Sequence, residues 1–362
     1  MTSSPDIVVE QSGTPVAEAR REEILGAPGF GLYFTDHMFV STWTPDAGWH
    51  DSRVKPYGPF SIDPATSVLH YAQEIFEGMK AYRHADGSVW IFRPDMNAAR
   101  FGRSAARLAL PRLPDADFIA AVEALVRTDI DWVPGGGEKS LYLRPFMFAS
   151  EVFLGVRPAK EVTFAVIASP AGAYFGGGVK PVTIWLSEEL TRAAPGGTGA
   201  AKCGGNYAAS LVAQREASAN GCEQVVFLDA AHHETIEELG GMNLFLVYAD
   251  GSVVTPELND SILAGVTRAS ILELADDLGH KVDERPVSAR EWREGVANGE
   301  ISEVFACGTA AVVTPVGALK WSDGEARSPL PAGDVTRGLR SRLLDIQYGR
   351  VADSHGWMHQ VS

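Results

Sequence analysis

One lysine has the residue type and the surroundings for covalent chemistry. Lys202 is the only charged residue in the stretch 193–214, where it stands among glycines and other small residues. Burial favours the neutral amine of a lysine, and a neutral amine attacks carbonyl carbon. We therefore predict Schiff-base chemistry at Lys202. The alternative is a lysine whose stem covers the glycine-rich loop while its ammonium group reaches water.

Tyr207 follows five residues later and favours the first interpretation. A phenol at this spacing could donate to, or pair with, the phenolic oxygen of a covalently held aldehyde, most naturally pyridoxal phosphate. The alternative is an aromatic ring that begins a helix and packs on the core. A phosphate-binding Walker loop does not fit, because Ala201 stands where glycine is required and Cys203 where serine or threonine is required.

Two adjacent acids, Glu237 and Glu238, lead into the segment Leu239-Gly240-Gly241-Met242-Asn243 and a hydrophobic strand. Neighbours on a strand point to opposite faces, so at most one acid faces a shared site. A carboxylate aimed at a pyridine nitrogen keeps that nitrogen protonated and makes the ring an electron sink. The alternative is a solvated pair at the end of a strand.

A phosphate group would need donors, and the sequence offers three sources. Residues 265–268 open a helix whose free N–H groups and dipole suit an anion. Thr309 could add a hydroxyl and an N–H, and Arg100 could bind a phosphate with two hydrogen bonds. The alternative for Arg100 is the solvated basic face of a helix, formed by Arg93, Arg100, Arg103 and Arg107.

The pattern of apolar residues predicts a mixed α/β, or α+β, fold with two domains. The domains would span residues 1–175 and 181–362, joined by a linker at 176–180 that contains three consecutive glycines. Ile271 and Leu278 are predicted to face inward on a helix at 266–278, and Ser288 with Glu291 forms a capping box. The other predicted helices are 115–126 and 206–220, and the predicted strands are 79–82, 89–92, 141–147, 161–168, 181–186, 225–228, 242–248, 252–255 and 301–306.

Composition excludes some classes of partner. A net charge of −15 in 362 residues argues against nucleic acid, which requires a basic surface, and no apolar run approaches the length of a membrane span. The three cysteines, with no layout of a signal peptide, predict free thiols and a cytoplasmic protein. Residues 232–234, two histidines and a glutamate, are predicted to form a polar turn, so we expect no metal site.

These motifs occur together in a known order. Arg100, Lys202 with Tyr207, Glu238 and the stretch 308–310 follow the order and rough spacing of the branched-chain amino-acid aminotransferases. Further blocks resemble the same family at residues 34–38, 73–80, 92–94, 142–145 and 172–175. The resemblance extends over nearly the whole chain.

The resemblance implies the fold-type IV architecture of pyridoxal-phosphate enzymes, a smaller N-terminal and a larger C-terminal domain in a homodimer with shared active sites. Lys202 would form the Schiff base, Glu238 would hold the pyridine nitrogen, and Tyr207 would hold the phenolic oxygen. The phosphate would be held by Arg100, Val266, Thr267 and Thr309. The substrate pocket would be lined by Phe30, Phe76, Tyr142, Tyr174 and Ala310, with Arg144 meeting the distal carboxylate of glutamate. The partner subunit would contribute Tyr71, Leu154 and Val156.

The implied reaction moves the amino group of leucine, isoleucine or valine to 2-oxoglutarate, giving a 2-oxo acid and glutamate. The loss of one methylene group from a substrate changes its binding free energy in an apolar pocket by only about 1–3 kcal/mol. All three amino acids should therefore be accepted. Two departures from relatives stand out: Gly241 replaces a threonine that some carry, and the paired cysteines of the animal enzymes are missing near Thr309. The alternatives are a D-amino-acid aminotransferase, an aminodeoxychorismate lyase, or a non-catalytic protein that binds pyridoxal phosphate.

Overall fold

The structure is a computed structural model that describes residues 6–172 and 180–362. Contacts divide the described chain into two compact units. The first unit contains residues 6–172, Ala201–Gly204 and Ile346–Ser362, and the second contains residues 180–200 and Gly205–Asp345. Most of the predicted linker, 176–179, lies outside the described residues. The fold is mixed α/β, as the sequence predicts.

The first unit is built on a largely antiparallel sheet of nine strands, in the order β1-β3-β2-β8-β7-β5-β6-β18, with β4 paired to β7. The predicted hairpin at Asp86 and Gly87 is confirmed, with Ala81 opposite Ile91 across the pair. The strands of this sheet are β1 (Val8–Val9), β2 (His37–Thr44), β3 (Gly48–Pro56), β4 (Glu74–Phe76), β5 (Met79–Arg83), β6 (Val89–Phe92), β7 (Ser140–Ala149), β8 (Val162–Ala171) and β18 (Met358–Gln360).

Two helices pack together on this sheet and close its core. The predicted helix at 115–126 is confirmed, and its apolar face buries Phe118, Val122 and Leu125. The preceding helix buries Phe101 next to Phe118, with ring centroids 5.2 Å apart. The helices of this unit are α1 (Glu18–Gly26), α2 (Val68–Tyr71), α3 (Pro94–Arg107) and α4 (Asp115–Thr128).

The second unit has a mixed sheet of nine strands, in the order β11-β10-β9-β16-β15-β12-β13-β14, with β17 paired to β16. The predicted hairpin around Asp250 and Gly251 is confirmed, with Leu246 opposite Val254. The strands are β9 (Val182–Ser187), β10 (Gln224–Leu228), β11 (Ile236–Leu239), β12 (Asn243–Tyr248), β13 (Val253–Thr255), β14 (Val282–Glu284), β15 (Ile301–Gly308), β16 (Val312–Trp321) and β17 (Gly324–Arg327).

The two helices predicted at 206–220 and 266–278 begin and end within two residues of those bounds. Ser288 accepts a hydrogen bond from the N–H of Glu291, which confirms the predicted cap. The prediction that Leu278 faces inward is wrong: the helix ends at Asp277, and Leu278 is 48% exposed while Ile271 is buried. The helices are α5 (Gly204–Ala219), α6 (Val266–Asp277), α7 (Ala289–Asn298) and α8 (Asp334–Gln347). Across 6–172 and 180–362, none of the helices is long and apolar enough to cross a bilayer.

Candidate active site

Lys202 belongs to the first unit, where the backbone on both sides of it is fixed. Ala201 and Cys203 are both 3% exposed and form part of the core of this unit. The N–H of Lys202 donates to Ser104 Oγ at 2.9 Å, and its carbonyl accepts the N–H of Phe76 at 2.9 Å. These bonds tie the lysine to α3 and β4. Cys203 therefore serves packing here, while the lysine side chain remains only partly buried.

The ammonium group of Lys202 lies against an aromatic ring and near a carboxylate. Its Nζ is 4.9 Å from the centroid of the Phe76 ring, within the range of a cation–π interaction. Its positive charge also acts on the carboxylate of Glu77. The local sequence shows Lys202 as an isolated charge, but the fold supplies an acid that comes from 125 residues earlier in the chain.

Glu77 is fully buried and holds Arg100 in a fixed orientation. Its two carboxylate oxygens accept from Nε and Nη2 of Arg100, each at 2.7 Å, and Asn97 Nδ2 donates to it at 2.7 Å. Burial acts to raise the pKa of the Glu77 carboxyl, but Arg100, the charge of Lys202 and the hydrogen bond from Asn97 together outweigh burial and lower the pKa below its usual value. Glu77 is therefore an ionised carboxylate. Because Arg100 is only 4% exposed, it does not lie on a solvated basic face.

The predicted pocket residues of the first unit lie side by side. Tyr142 and Arg144 are two residues apart on β7, so their side chains point to the same face of the sheet. Arg144 Nη2 donates to the Tyr142 hydroxyl at 2.9 Å, and its Cζ lies 4.8 Å from the Phe76 centroid. Phe30 packs edge-on against Tyr142 with centroids 5.1 Å apart. Arg144 Nε is buried and has no hydrogen-bond partner among residues 6–172 and 180–362. The remaining aromatic residue predicted here, Tyr174, lies outside the described residues.

In the second unit, both predicted acids of β11 are buried rather than solvated. Glu238 is 1% exposed, forms an ion pair with Arg192, and accepts the N–H of Leu263 at 3.3 Å. Glu237 is 4% exposed, and burial raises the pKa of its carboxyl. The interpretation of a solvated pair at a strand end is wrong. The guanidinium of Arg192 supplies a positive charge beside the Glu238 carboxyl group.

Tyr207 stands in the first turn of α5, and its ring lies against the backbone of Gly241. A Cβ added at Gly241 would be 3.0 Å from Tyr207 Cε1 and 3.5 Å from the phenol oxygen. A larger residue would therefore have to displace the ring. Gly241 is thus the residue that lets the phenol approach the β11–β12 turn closely.

The predicted phosphate donors of the second unit lie at a helix start and in a hairpin turn. Val266 and Thr267 are buried in the first turn of α6, a helix of 12 residues whose N-cap is Gly265. A Cβ at Gly265 would overlap Asn243, whose Nδ2 donates to the carbonyl of Leu263 at 3.0 Å and fixes this loop. Thr309 and Ala310 occupy the turn between β15 and β16. Their roles toward a phosphate or a substrate stay predictions.

The residues predicted to serve a partner subunit form an exposed apolar patch on the first unit. Tyr71 is 40% exposed, Leu154 59% and Val156 86%. The Tyr71 hydroxyl donates to the carbonyl of Leu154, so α2 and the loop after β7 are linked. Phe153 is exposed beside them.

Three charged residues that act on the candidate residues within their own unit were not predicted from the sequence: Glu74 and Glu77 in the first unit, and Arg192 in the second. Glu77 stands alone among apolar residues in the 75–79 segment, and a single acid in such a segment is a signal of a paired buried charge. Glu74 and Arg192 have no comparable local signal. Their partners are 70 and 46 residues away, Arg144 for Glu74 and Glu238 for Arg192.

Comparison with known proteins identifies the family. The model of the amino-transferase class IV family matches residues 74–319, and this chain belongs to that family. It is 58% identical to a probable branched-chain-amino-acid aminotransferase of Streptomyces coelicolor, over 99% of this chain and all of the relative. It is 56% identical over the full length of both chains to the branched-chain-amino-acid aminotransferase of Mycobacterium tuberculosis H37Rv.

Solved structures agree with that assignment. The Escherichia coli branched-chain amino acid aminotransferase aligns with a TM-score of 0.75 at 29% identity, covering 90% of this chain and 99% of that one. The T.th. branched-chain amino acid aminotransferase, solved with pyridoxamine 5'-phosphate, aligns with a TM-score of 0.71 at 30% identity, covering 89% and 98%. The fold is therefore fold-type IV.

Proposed function

We propose that this protein is a branched-chain amino-acid aminotransferase that uses pyridoxal 5'-phosphate and 2-oxoglutarate. One observation carries the proposal: an amine and a guanidinium group lie over the same aromatic ring. Lys202 Nζ is 4.9 Å and Arg144 Cζ is 4.8 Å from the centroid of Phe76. An apolar ring suits a branched side chain, while the guanidinium suits the distal carboxylate of glutamate.

The residues present fit pyridoxal phosphate by their chemistry. When bound, this cofactor supplies an aldehyde that takes up an amino group and a ring that withdraws electrons from the substrate α-carbon. Lys202 is a partly buried amine held by fixed backbone, as a Schiff-base lysine requires. Glu238 is a buried carboxylate whose pairing with Arg192 favours the ionised form that a pyridinium nitrogen needs. We assign Tyr207 to the phenolic oxygen.

The phosphate of the cofactor is assigned to four residues of two kinds. Arg100 offers a guanidinium group whose orientation is set by Glu77. Val266 and Thr267 offer N–H groups at the start of α6, where the helix dipole favours an anion. Thr309 adds a hydroxyl from the turn before β16.

In the reaction, Lys202 has two tasks. It holds the cofactor in the resting enzyme, and its freed amine then takes the proton from the substrate α-carbon and returns it, acting first as general base and then as general acid. Phe30, Phe76 and Tyr142 exclude water from the aliphatic chain, and Ala310 and Tyr174 are assigned to the same pocket.

We further propose that the protein is a cytoplasmic homodimer. The exposed patch of Tyr71, Leu154 and Val156 supports the dimer, because monomers seldom leave contiguous apolar side chains in water. In sedimentation experiments the protein should behave as a species of twice 38.8 kDa, and Val156→Asp should shift it toward the monomer. A wild-type monomer that is fully active would contradict the shared site.

The activity itself is tested by mixing the holoenzyme with L-leucine and 2-oxoglutarate and measuring glutamate. Formation of glutamate supports the proposal. A D-amino-acid aminotransferase would require the D-isomer, and an aminodeoxychorismate lyase would act on neither compound. A non-catalytic binding protein would keep its yellow colour, without conversion to the amine form, when L-leucine is added.

Arg144→Ala should separate the two kinds of substrate. Loss of a charge-assisted hydrogen bond removes about 1.5–3 kcal/mol, so kcat/KM for glutamate should fall roughly 10–100-fold. The value for leucine should change much less, since its side chain contacts the rings. Steady-state kinetics with each amino acid measure both values. Arg112→Ala, at an exposed arginine of the same unit, is the matched control. Equal losses for both substrates would remove the role assigned to Arg144.

A further inference from the structure

Glu74 lies on the face of the sheet that carries Phe76 and Arg144. It is the first residue of β4, and Phe76, two positions later, points to the same side. Strand β4 pairs antiparallel with β7, which places Glu74 opposite Phe148 and Phe76 opposite Phe146. The assigned carboxylate-binding residue, Arg144, is on this same strand β7.

The carboxylate of Glu74 is held in place by backbone. Its Oε1 accepts the N–H of Gly204, the first residue of α5 and two residues after Lys202. A Cβ at Gly204 would overlap this carboxylate, so the glycine is needed for the approach. The acid is therefore fixed between the lysine loop and the strand of Arg144.

The charged groups around Glu74 come from several elements. Burial raises the pKa of its carboxyl, and the N–H of Gly204 and the charge of Arg144 on β7 oppose that rise only in part. From α3, Arg100 is engaged by Glu77. Lys202 has its ammonium over the Phe76 ring. Arg144 is thus the basic side chain whose charge acts on Glu74.

We propose that Glu74 is a specificity-determining positioning residue: it acts as the counter-charge of Arg144 and weakens the binding of dicarboxylate substrates relative to branched aliphatic ones. This inference rests on the proposed function. The assigned pocket has to accept an uncharged side chain and a carboxylate at one place. Burying an unpaired guanidinium under an aliphatic chain is unfavourable, and a nearby carboxylate reduces that penalty. The distal carboxylate of glutamate must then compete with Glu74 for the same positive charge.

The test compares two unreactive ligands of similar length on the holoenzyme. Glutarate has a distal carboxylate and 4-methylvalerate has a branched methyl end. Glu74→Gln removes the charge but keeps an oxygen for the N–H of Gly204. We expect its dissociation constant for glutarate to fall about two- to five-fold, which is the range for an interaction between partly exposed charges. The constant for 4-methylvalerate should remain the same or rise. With substrates, KM for 2-oxoglutarate should fall while kcat is unchanged.

A second measurement begins with the wild type and follows both dissociation constants as a function of pH. Burial raises the pKa of the Glu74 carboxyl, so as the pH falls toward that raised pKa its protonation should raise the affinity for glutarate relative to 4-methylvalerate, and Glu74→Gln should lose this dependence. Glu161→Gln removes an exposed charge of the same unit and serves as the matched control. This control should change neither the ratio of the two dissociation constants nor the dependence of that ratio on pH.

The outcomes separate this inference from the proposed function. If Arg144→Ala leaves glutarate binding unchanged, the carboxylate site assigned under the proposed function is wrong. If Arg144→Ala weakens glutarate but Glu74→Gln leaves the ratio of the two dissociation constants unchanged, or strengthens both ligands equally, the role of Glu74 alone is overturned. A wild-type ratio that does not vary with pH would also overturn it.

Discussion

Lys202→Ala should lower the rate of amino transfer from leucine to 2-oxoglutarate by at least about 10⁴-fold. The variant loses the amine that bonds to the cofactor and the group that moves the α-proton, and proton transfer by a positioned side chain alone contributes about 10²–10⁴-fold. The fold should be unaffected, because the lysine side chain is only partly buried while its neighbours Ala201 and Cys203 form the core. The rate is measured as glutamate formed by the purified variant in the presence of excess pyridoxal phosphate.

A covalent readout distinguishes loss of chemistry from loss of folding. Borohydride reduction of the wild type should leave a cofactor adduct on the peptide that contains Lys202, and the variant should carry none. Lys160→Ala, at an exposed lysine of the same unit, should retain both adduct and activity. An adduct that persists at the buried Lys80 in the Lys202→Ala variant would show that the wrong lysine has been assigned.

The local elements of the fold could be predicted because their apolar residues repeat with a regular period. The helix at 115–126 and the hairpin at Asp86 and Gly87 both depend on residues close in sequence, and both are confirmed. The prediction failed where a helix ends. Leu278 continues the apolar spacing of α6, but it lies one residue beyond the last turn and points to solvent.

For the candidate site, the sequence could predict the types of the functional residues but not the contacts between them. The lysine, the acids and the arginines have the right chemistry, and the resemblance to a known family supplies their roles. The partners of these charges could not be predicted, because the tertiary fold brings them together from distant positions in the chain. The carbonyl of Lys202 accepts the N–H of Phe76 in β4, and Glu77 is the next residue after Phe76. This hydrogen bond therefore places Glu77 near the lysine. No periodicity within either segment encodes that pairing.

Both units use the same physical arrangement, a buried acid that holds an arginine. Glu77 pairs with Arg100 in the first unit, and Glu238 pairs with Arg192 in the second. A buried ion pair contributes little net stability compared with apolar residues, so stability does not explain it well. It does fix the orientation and ionisation of its members. We infer that these pairs prepare charged groups for the cofactor.

Glu77→Ala should destabilise the cofactor-free protein by about 3–5 kcal/mol. The substitution leaves the Arg100 guanidinium, which is 4% exposed, without its carboxylate in the interior of the first unit. Urea unfolding of the apo form measures the loss. The pKa of the Glu77 carboxyl is lowered in the fold, so its contribution is present above the ordinary glutamate pKa and disappears as the pH falls through the lowered value. The difference between wild type and variant should therefore shrink below about pH 4.

The same variant tests whether Arg100 binds the phosphate. If it does, inorganic phosphate or the cofactor should restore part of the lost stability, because either anion supplies a new counter-charge for the guanidinium. Glu77→Gln, which keeps the hydrogen-bonding shape without the charge, should lose less than the alanine variant, and Glu161→Ala should lose almost nothing. A loss for Glu77→Ala below about 1 kcal/mol would mean that Arg100 does not depend on Glu77. A different outcome is that Glu77→Ala loses the full amount of about 3–5 kcal/mol of unfolding free energy and regains none of it with phosphate. That result would support the Glu77–Arg100 ion pair and would contradict the assignment of Arg100 to the phosphate.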